Sequence, residues 1–257
     1  MLRLHHRPPA RKSRREDSAR RRLGVGRDPR AQLHAADLAG LSDRTDGRRE
    51  TRRPNTLVMG DLPFGSYQSA GETAINNACE MVKRSGCDAV KIEVSEYHLG
   101  LVNALAQAGV AVVAHLGLRP QAVGMMGGYK FQGRTVDEAN HIVKQAQAFA
   151  HAGAAAILLE AVPGEVGQKV VDEVDVPVIG CGGGPACHSH VVVLQDLLRQ
   201  TPRQPKFVPH IELSGDLTET AARYVKMIES GAYPTAAHGY TMPDDQRRLF
   251  LRDTAVV

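Results

Sequence analysis

Tryptophan is absent from the 257-residue sequence, and Phe, Tyr and Trp together make up only 4% of it. Since 42% of residues are apolar, a core can still be filled, but mainly with aliphatic side chains and alanine. There are four cysteines, Cys79, Cys87, Cys181 and Cys187, with no CxxC pair and no Cys/His set at zinc-finger spacing. A reducing compartment is therefore the default reading. No apolar run reaches the ~18 residues of a membrane span, and no apolar signal-peptide core follows Met1. A soluble, cytoplasmic protein without a membrane partner is expected, or a mitochondrial one in a eukaryote.

What charge there is lies unevenly. Residues 1–53 hold 16 Lys and Arg against 7 Asp and Glu, and the remaining residues hold 16 against 21. A basic arm on an acidic body raises two ideas, a nucleic-acid tail and a targeting segment. The arm contains no Phe, Tyr or Trp, which argues against nucleic acid as a partner. Glu16, Asp17 and Asp28 argue against a transit peptide. Stretches such as "RPPARKSRRE" show little sustained apolar periodicity, so residues 1–53 read as a disordered or aberrant arm. A barrel domain over residues 54–257 follows from the pattern beyond it.

From Thr56 onward, short apolar runs alternate with helical patterns. Strands are predicted at Thr56–Gly60, Asp88–Glu93, Val110–Leu116, Ala154–Glu160 and through "VPVIGC". Between them lie helices ended by Gly86, Gly109 and Gly153, and a short helix over Glu165–Val174. "HVVVLQDLLRQ" reads as helical, and a last helix is predicted around Thr218–Ser230. Continuously apolar strands alternating with helices indicate a parallel sheet covered on both faces.

Polar residues fall at the ends of these strands. Asp61 ends the first run, Lys91 and Glu93 the second, His115 the third and Glu160 the fourth. In a (β/α)8 barrel, the carboxyl ends of the strands carry the active site. Each residue also has a plainer explanation. Asp61 could be a turn former, Lys91 and Glu93 a salt bridge at the mouth, His115 a hydrogen-bonded core histidine and Glu160 a helix-entry cap. Read as chemistry, Asp61 and Glu93 are hard oxygen donors suited to Mg2+. Lys91 would hold a carboxylate or oxyanion, and Glu160, beside apolar walls, would serve as general base. Together these suggest proton abstraction next to a metal-bound carbonyl. "GCGGGPACH" has two readings, a tight β-to-α turn or an anion cradle, and matches neither nucleotide-binding glycine pattern.

The segments "DLPFGSY", "AVKIE", "AHLGLRPQ", "GGYKFQGR", "ILLEAVP", "VPVIGCGGGPAC", "VVVLQDLL" and "PKFV", in that order over residues 54–210, resemble the ketopantoate hydroxymethyltransferase family. The resemblance implies a TIM barrel assembled as a homo-decamer, with Mg2+ as cofactor and methylenetetrahydrofolate as co-substrate. It further implies that Asp61 and Glu93 bind the metal and that Asp61, Lys91 and His115 surround the keto acid. Glu160 would remove the C3 proton of α-ketoisovalerate, whose enolate attacks the folate-borne carbon to give ketopantoate in pantothenate and coenzyme A synthesis.

Three departures accompany the resemblance. The family's upstream Gly-Asp-Ser segment, which supplies another metal ligand, has no counterpart in residues 1–53. The first two barrel strands are therefore not recognisable, an incomplete barrel is expected, and the abrupt change of composition predicts a reading-frame or start error. "CHSH" at Cys187–His190 and Val94-Ser95 also replace the family's usual loop residues. Three alternatives follow: a catalytically inactive family member, a related Mg2+-dependent C–C lyase acting on keto acids, and a nucleic-acid binder acting through the basic arm.

Overall fold

The computed structural model describes residues 3–6, 32–36, 56–69, 71–212 and 216–253. Apart from two short strands, the expected disordered arm lies outside these residues. The strands are β1 (Arg3–His6), β2 (Gln32–Ala36), β3 (Thr56–Asp61), β4 (Ala89–Glu93), β5 (Val112–Gly117), β6 (Ala156–Glu160), β7 (Val178–Cys181) and β8 (Ser189–His190). They join in sequence order into a closed barrel.

The regular (β/α)8 repeat is incomplete. From β3 to β8, six consecutive strands run parallel. β2 pairs parallel with β3, but β1 runs antiparallel to both of its neighbours, β2 and β8. The α/β barrel is thus carried by β3–β8, and the first two places in the ring are filled by strands of four and five residues.

Helices α1 (Gly71–Ser85), α2 (Leu99–Gln107), α3 (Val136–His151) and α4 (Gly164–Glu173) alternate with β3–β7 on the outside. Local sequence sets their limits. Thr135 and Glu138 form a reciprocal capping box at the start of α3, which satisfies orphan N–H groups there. Ala139, Ile142, Val143, Ala146 and Phe149 then line its buried face, the spacing of one helical stripe. Further along are α5 (Leu194–Leu197), α6 (Leu217–Glu229), which opens on the Asp216 cap, and α7 (Asp244–Asp253).

Alternation along the strands separates two apolar layers. Val58, Val90, Ile92, Val112, Ala114, Leu116, Ile157, Leu159 and Val178 pack outward beneath the helices. Met59, Ala89, Val113, Ala156, Leu158, Ile179 and Cys181 belong to the inner layer. Three of the scarce aromatics, Phe207, Tyr224 and Tyr233, join the inner layer, where the Tyr233 hydroxyl donates to the Phe207 carbonyl at 2.8 Å.

One expected element is different. The segment from His190 is not a continuous helix: Ser189 and His190 form β8 beside Ile179 and Gly180, and only Leu194–Leu197 is helical. Pairing with the open edge of β7 outweighs the local helical pattern. The glycine run after β7 leads into that strand, so it is a β-to-β connection. A Cβ on Gly167 of α4 would lie 1.9 Å from the Gly183 oxygen, so close packing of this connection against α4 explains the small residues. His188 accepts the Val178 N–H at 3.0 Å, and Cys187 donates to the Gly183 carbonyl, so the "CHSH" substitutions are built into this connection.

Candidate functional site

The alternation that places Met59, Ala89, Val113, Leu158 and Ile179 in the inner layer continues to the strand ends. Two residues on from Met59 is Asp61; two and four on from Ala89 are Lys91 and Glu93. The same step leads from Val113 to His115, from Leu158 to Glu160 and from Ile179 to Cys181. Period-two geometry thus directs all five predicted residues, and Cys181, to one end of the interior. Parallel register aligns them laterally: Asp61 pairs with Lys91, Glu93 with His115, and Glu160 with Cys181.

Main-chain bonds hold these ends in place. Leu62 N–H donates to the Lys91 carbonyl, Val94 N–H to His115, Leu118 N–H to Glu160 and Ala161 N–H to Cys181, extending each ladder past the polar residue. Gly117 is required between β5 and β6. Its φ is +87°, and a Cβ there would lie 2.3 Å from the Glu160 carbonyl oxygen. Ala161, directly after Glu160, has φ +47°, an uncommon backbone state for alanine. At the other replaced loop position, Ser95 is extended and its N–H donates to His98 Nδ1, so this exit from β4 needs no glycine.

Within the cluster, Lys91 Nζ lies 2.8 Å from Asp61 Oδ1. Asp61 Oδ1 is buried and the contact is off the hydrogen-bond line, while the Asp61 side chain as a whole remains 43% exposed. His115 sits between two acids, with Nε2 3.2 Å from Glu160 Oε2 and Nδ1 4.0 Å from Glu93 Oε1. Both ring nitrogens are buried without an aligned hydrogen bond. The Lys91–Glu93 salt bridge allowed by the sequence is replaced by the Lys91–Asp61 pair.

Glu93 is the most enclosed acid, its side chain 5% exposed. Burial raises its carboxyl above the ordinary glutamate value, partly offset by His115, the Gln121 N–H and Lys91, and reinforced by Glu160. Both of its oxygens accept from the Gln121 main-chain N–H, at 3.1 and 3.0 Å. Its own N–H donates to the Tyr67 hydroxyl at 3.0 Å. On β7, burial, then Glu160, keeps the Cys181 thiol protonated well beyond the usual range.

Reading the sequence alone missed Gln121, Tyr67 and Cys181. Cys181 carried a periodic signal, the two-residue step from Ile179, while Tyr67 and Gln121 end the family-like segments "DLPFGSY" and "AHLGLRPQ" without being singled out. Gln121 and Tyr67 lie in connections, where no periodicity marks them.

The site can therefore hold an acid or oxyanion at Lys91, position a proton acceptor at Glu160, and fix an imidazole between two carboxylates. Comparison with known proteins bears on what it holds. A family model described as ketopantoate hydroxymethyltransferase matches residues 47–236. The 3-methyl-2-oxobutanoate hydroxymethyltransferase of Heliobacterium modesticaldum is 40% identical over 199 residues, covering 77% of this chain and 72% of that protein. The enzyme of the same name from Geobacillus kaustophilus is 40% identical over 195 residues, covering 75% and 70%. That of Alkalilimnicola ehrlichii is 42% identical over 190 residues, covering 73% and 68%.

Proposed function

Because the chain belongs to the ketopantoate hydroxymethyltransferase family, we propose that it transfers a hydroxymethyl group from methylenetetrahydrofolate to 3-methyl-2-oxobutanoate, giving ketopantoate. The observation that carries this reading is the convergence of Asp61, Lys91, Glu93, His115 and Glu160 at one end of the barrel interior.

The donors are compatible with Mg2+. Among the described residues, no three His, Cys, Asp or Glu side chains form a preformed cage. Mg2+ does not require one, because it takes one or two carboxylates and completes its shell with waters and substrate oxygens. Asp61 and Glu93 would hold it, and Asp61 Oδ1, buried without an aligned donor, has acceptor capacity to spare. When bound, the ion would supply positive charge for an oxygen that becomes negative during the reaction.

The remaining steps belong to the chain's own groups. Lys91 binds the keto acid's negative oxygens, which requires it to share or leave Asp61. Glu160 takes the C3 proton, and the C–H electron pair becomes an enolate whose oxygen lies within the field of Lys91 and His115. C3 then bonds to the methylene carbon of the folate, water supplies the hydroxyl, and tetrahydrofolate leaves. The His115 imidazole, 3.2 Å from Glu160 and off the hydrogen-bond line, needs only a small turn of the ring to donate to that carboxylate.

We place the enzyme in the cytoplasm as a homo-oligomer, a decamer by resemblance; no described helix is long and apolar enough to cross a membrane. The deciding experiment incubates the purified full chain with Mg2+, 3-methyl-2-oxobutanoate and methylenetetrahydrofolate and measures ketopantoate. Product is expected, and Glu160→Gln should lower kcat by roughly 10²–10⁴-fold while leaving the melting temperature nearly unchanged. One observation favours a second reading, an inactive family member: Asp61 is already neutralised by Lys91. Folded protein that forms no product would establish that reading instead.

A further inference from the structure

We propose that Gln121 is a positioning residue, whose main-chain N–H and side-chain amide together set where the Glu93 carboxylate stands relative to Asp61. The inference rests on the reading of Asp61 and Glu93 as the acids of the site.

Its geometry is a closed circuit. The Gln121 N–H is shared between both Glu93 oxygens, at 3.1 and 3.0 Å, which fixes the plane of the carboxylate. Gln121 Nε2 donates to the carbonyl of Leu62, the residue after Asp61, at 2.9 Å. Gln121 Oε1 accepts from the Tyr67 hydroxyl and from Gln68 Nε2, both at 2.8 Å. The Tyr67 hydroxyl accepts the Glu93 N–H in turn, closing the loop. Gln121 therefore ties the exit of β3, which carries Asp61, to the exit of β4, which carries Glu93, reaching the first through its side chain and the second through its main-chain N–H. Arg119 braces the same turn by donating to the Val94 carbonyl at 3.3 Å.

The residue type follows from the circuit. A donor and a two-lone-pair acceptor are needed on one terminal group, and among side chains of this length only an amide has both. Glutamate at 121 would set a carboxylate against the Leu62 carbonyl. Methionine would fill the same space while leaving the buried Tyr67 hydroxyl without its acceptor. Partners that orient the acids of a metal site commonly matter roughly 10–100-fold in affinity or activity without touching the ligand themselves.

The test uses the full chain as wild type, Gln121→Met, Tyr67→Phe and the double variant. Amide NMR reads the carboxylate directly: the position-121 proton should lie downfield in the wild type and move upfield in Glu93→Gln and in Gln121→Met. Calorimetric titration with Mn2+ should show affinity falling roughly 10–100-fold in Gln121→Met. For turnover, kcat should drop by a similar factor while KM for the keto acid stays within about two-fold, the pattern of lost transition-state alignment rather than lost binding. Tyr67→Phe should give part of the effect, and the double variant no more than Gln121→Met, because both act through one circuit. An unchanged position-121 shift together with unchanged Mn2+ affinity in Gln121→Met would overturn the proposal. A folded wild type that neither binds Mn2+ nor forms product would instead sink the hydroxymethyltransferase reading, and the amide shift would still decide the role of Gln121.

Discussion

The arc of the barrel from β4 to β6 and the arc from β7 to β8 solve different problems with the same architecture. In the first arc, strands of five or six residues carry ionisable groups to their inner ends: Lys91, Glu93, His115 and Glu160. In the second, the four-residue strand β7 carries Ile179 and Cys181 inward, the two-residue strand β8 adds the buried His190, and Phe207, Tyr224 and Tyr233 join the same apolar layer. Long ladders hold charged groups that would otherwise repel or drift, whereas the short ladders are supported by apolar packing. Ionisable groups and apolar packing thus fall largely on different sides of one ring, and under the proposed function substitutions on each side should separate activity from stability.

The largest expected effect on stability lies in the second arc. Ile179 is fully buried in the inner layer, and Ile179→Ala should cost about 2–5 kcal/mol, read from urea unfolding. Measured well below its melting temperature, the variant should retain the wild-type pH profile and Mn2+ affinity. A loss of Mn2+ affinity as large as that from a Glu93 substitution would break the division between the arcs.

Next in size is Gly167→Ala. The added methyl would meet the Gly183 carbonyl oxygen at 1.9 Å, and backbone cannot yield as a flexible side chain does. A loss of about 1–3 kcal/mol is expected, from the shift needed to relieve overpacking. The same variant decides between the two readings of the glycine run. An unchanged melting temperature would mean that the β7–β8 connection is loose enough to serve as an anion cradle rather than a packed turn.

How readily each arc can be read from sequence follows from the same division. β3 to β7 announce themselves because strands buried on both faces are continuously apolar, and a charged residue that interrupts such a run marks the mouth; Asp61, Glu93, His115 and Glu160 were all visible in this way. β8 was not visible, because two residues have no periodicity and their pairing depends on β7. β1 and β2 lie in an Arg-rich segment with no apolar run of its own. Gln121 was hidden for another reason: its partners Leu62, Tyr67 and Glu93 lie 59, 54 and 28 residues away, and a polar residue in a connection has no pattern until the chain is folded. The α7 helix, "DDQRRLFLRD", has too few apolar positions to stand out.

The smallest predicted effect tests whether the first arc gives up stability to keep its charges. Burial raises the Glu93 carboxyl above its ordinary value of 4.5. The folded chain therefore binds this proton more tightly than the unfolded chain does. Linkage then fixes the sign: the group disfavours folding at pH values above its folded pKa, and that penalty fades as pH falls through the folded value towards 4.5. Glu93→Gln removes the ionisation while its remaining carbonyl oxygen can still accept the Gln121 N–H. The variant should melt at a higher temperature than the wild type at pH 7, with the gap narrowing as the pH is lowered towards 4.5. A gap that widened on acidification would mean that His115 and Lys91 stabilise the Glu93 carboxylate by more than burial disfavours it. The β4–β6 arc would then contribute stability as well as chemistry.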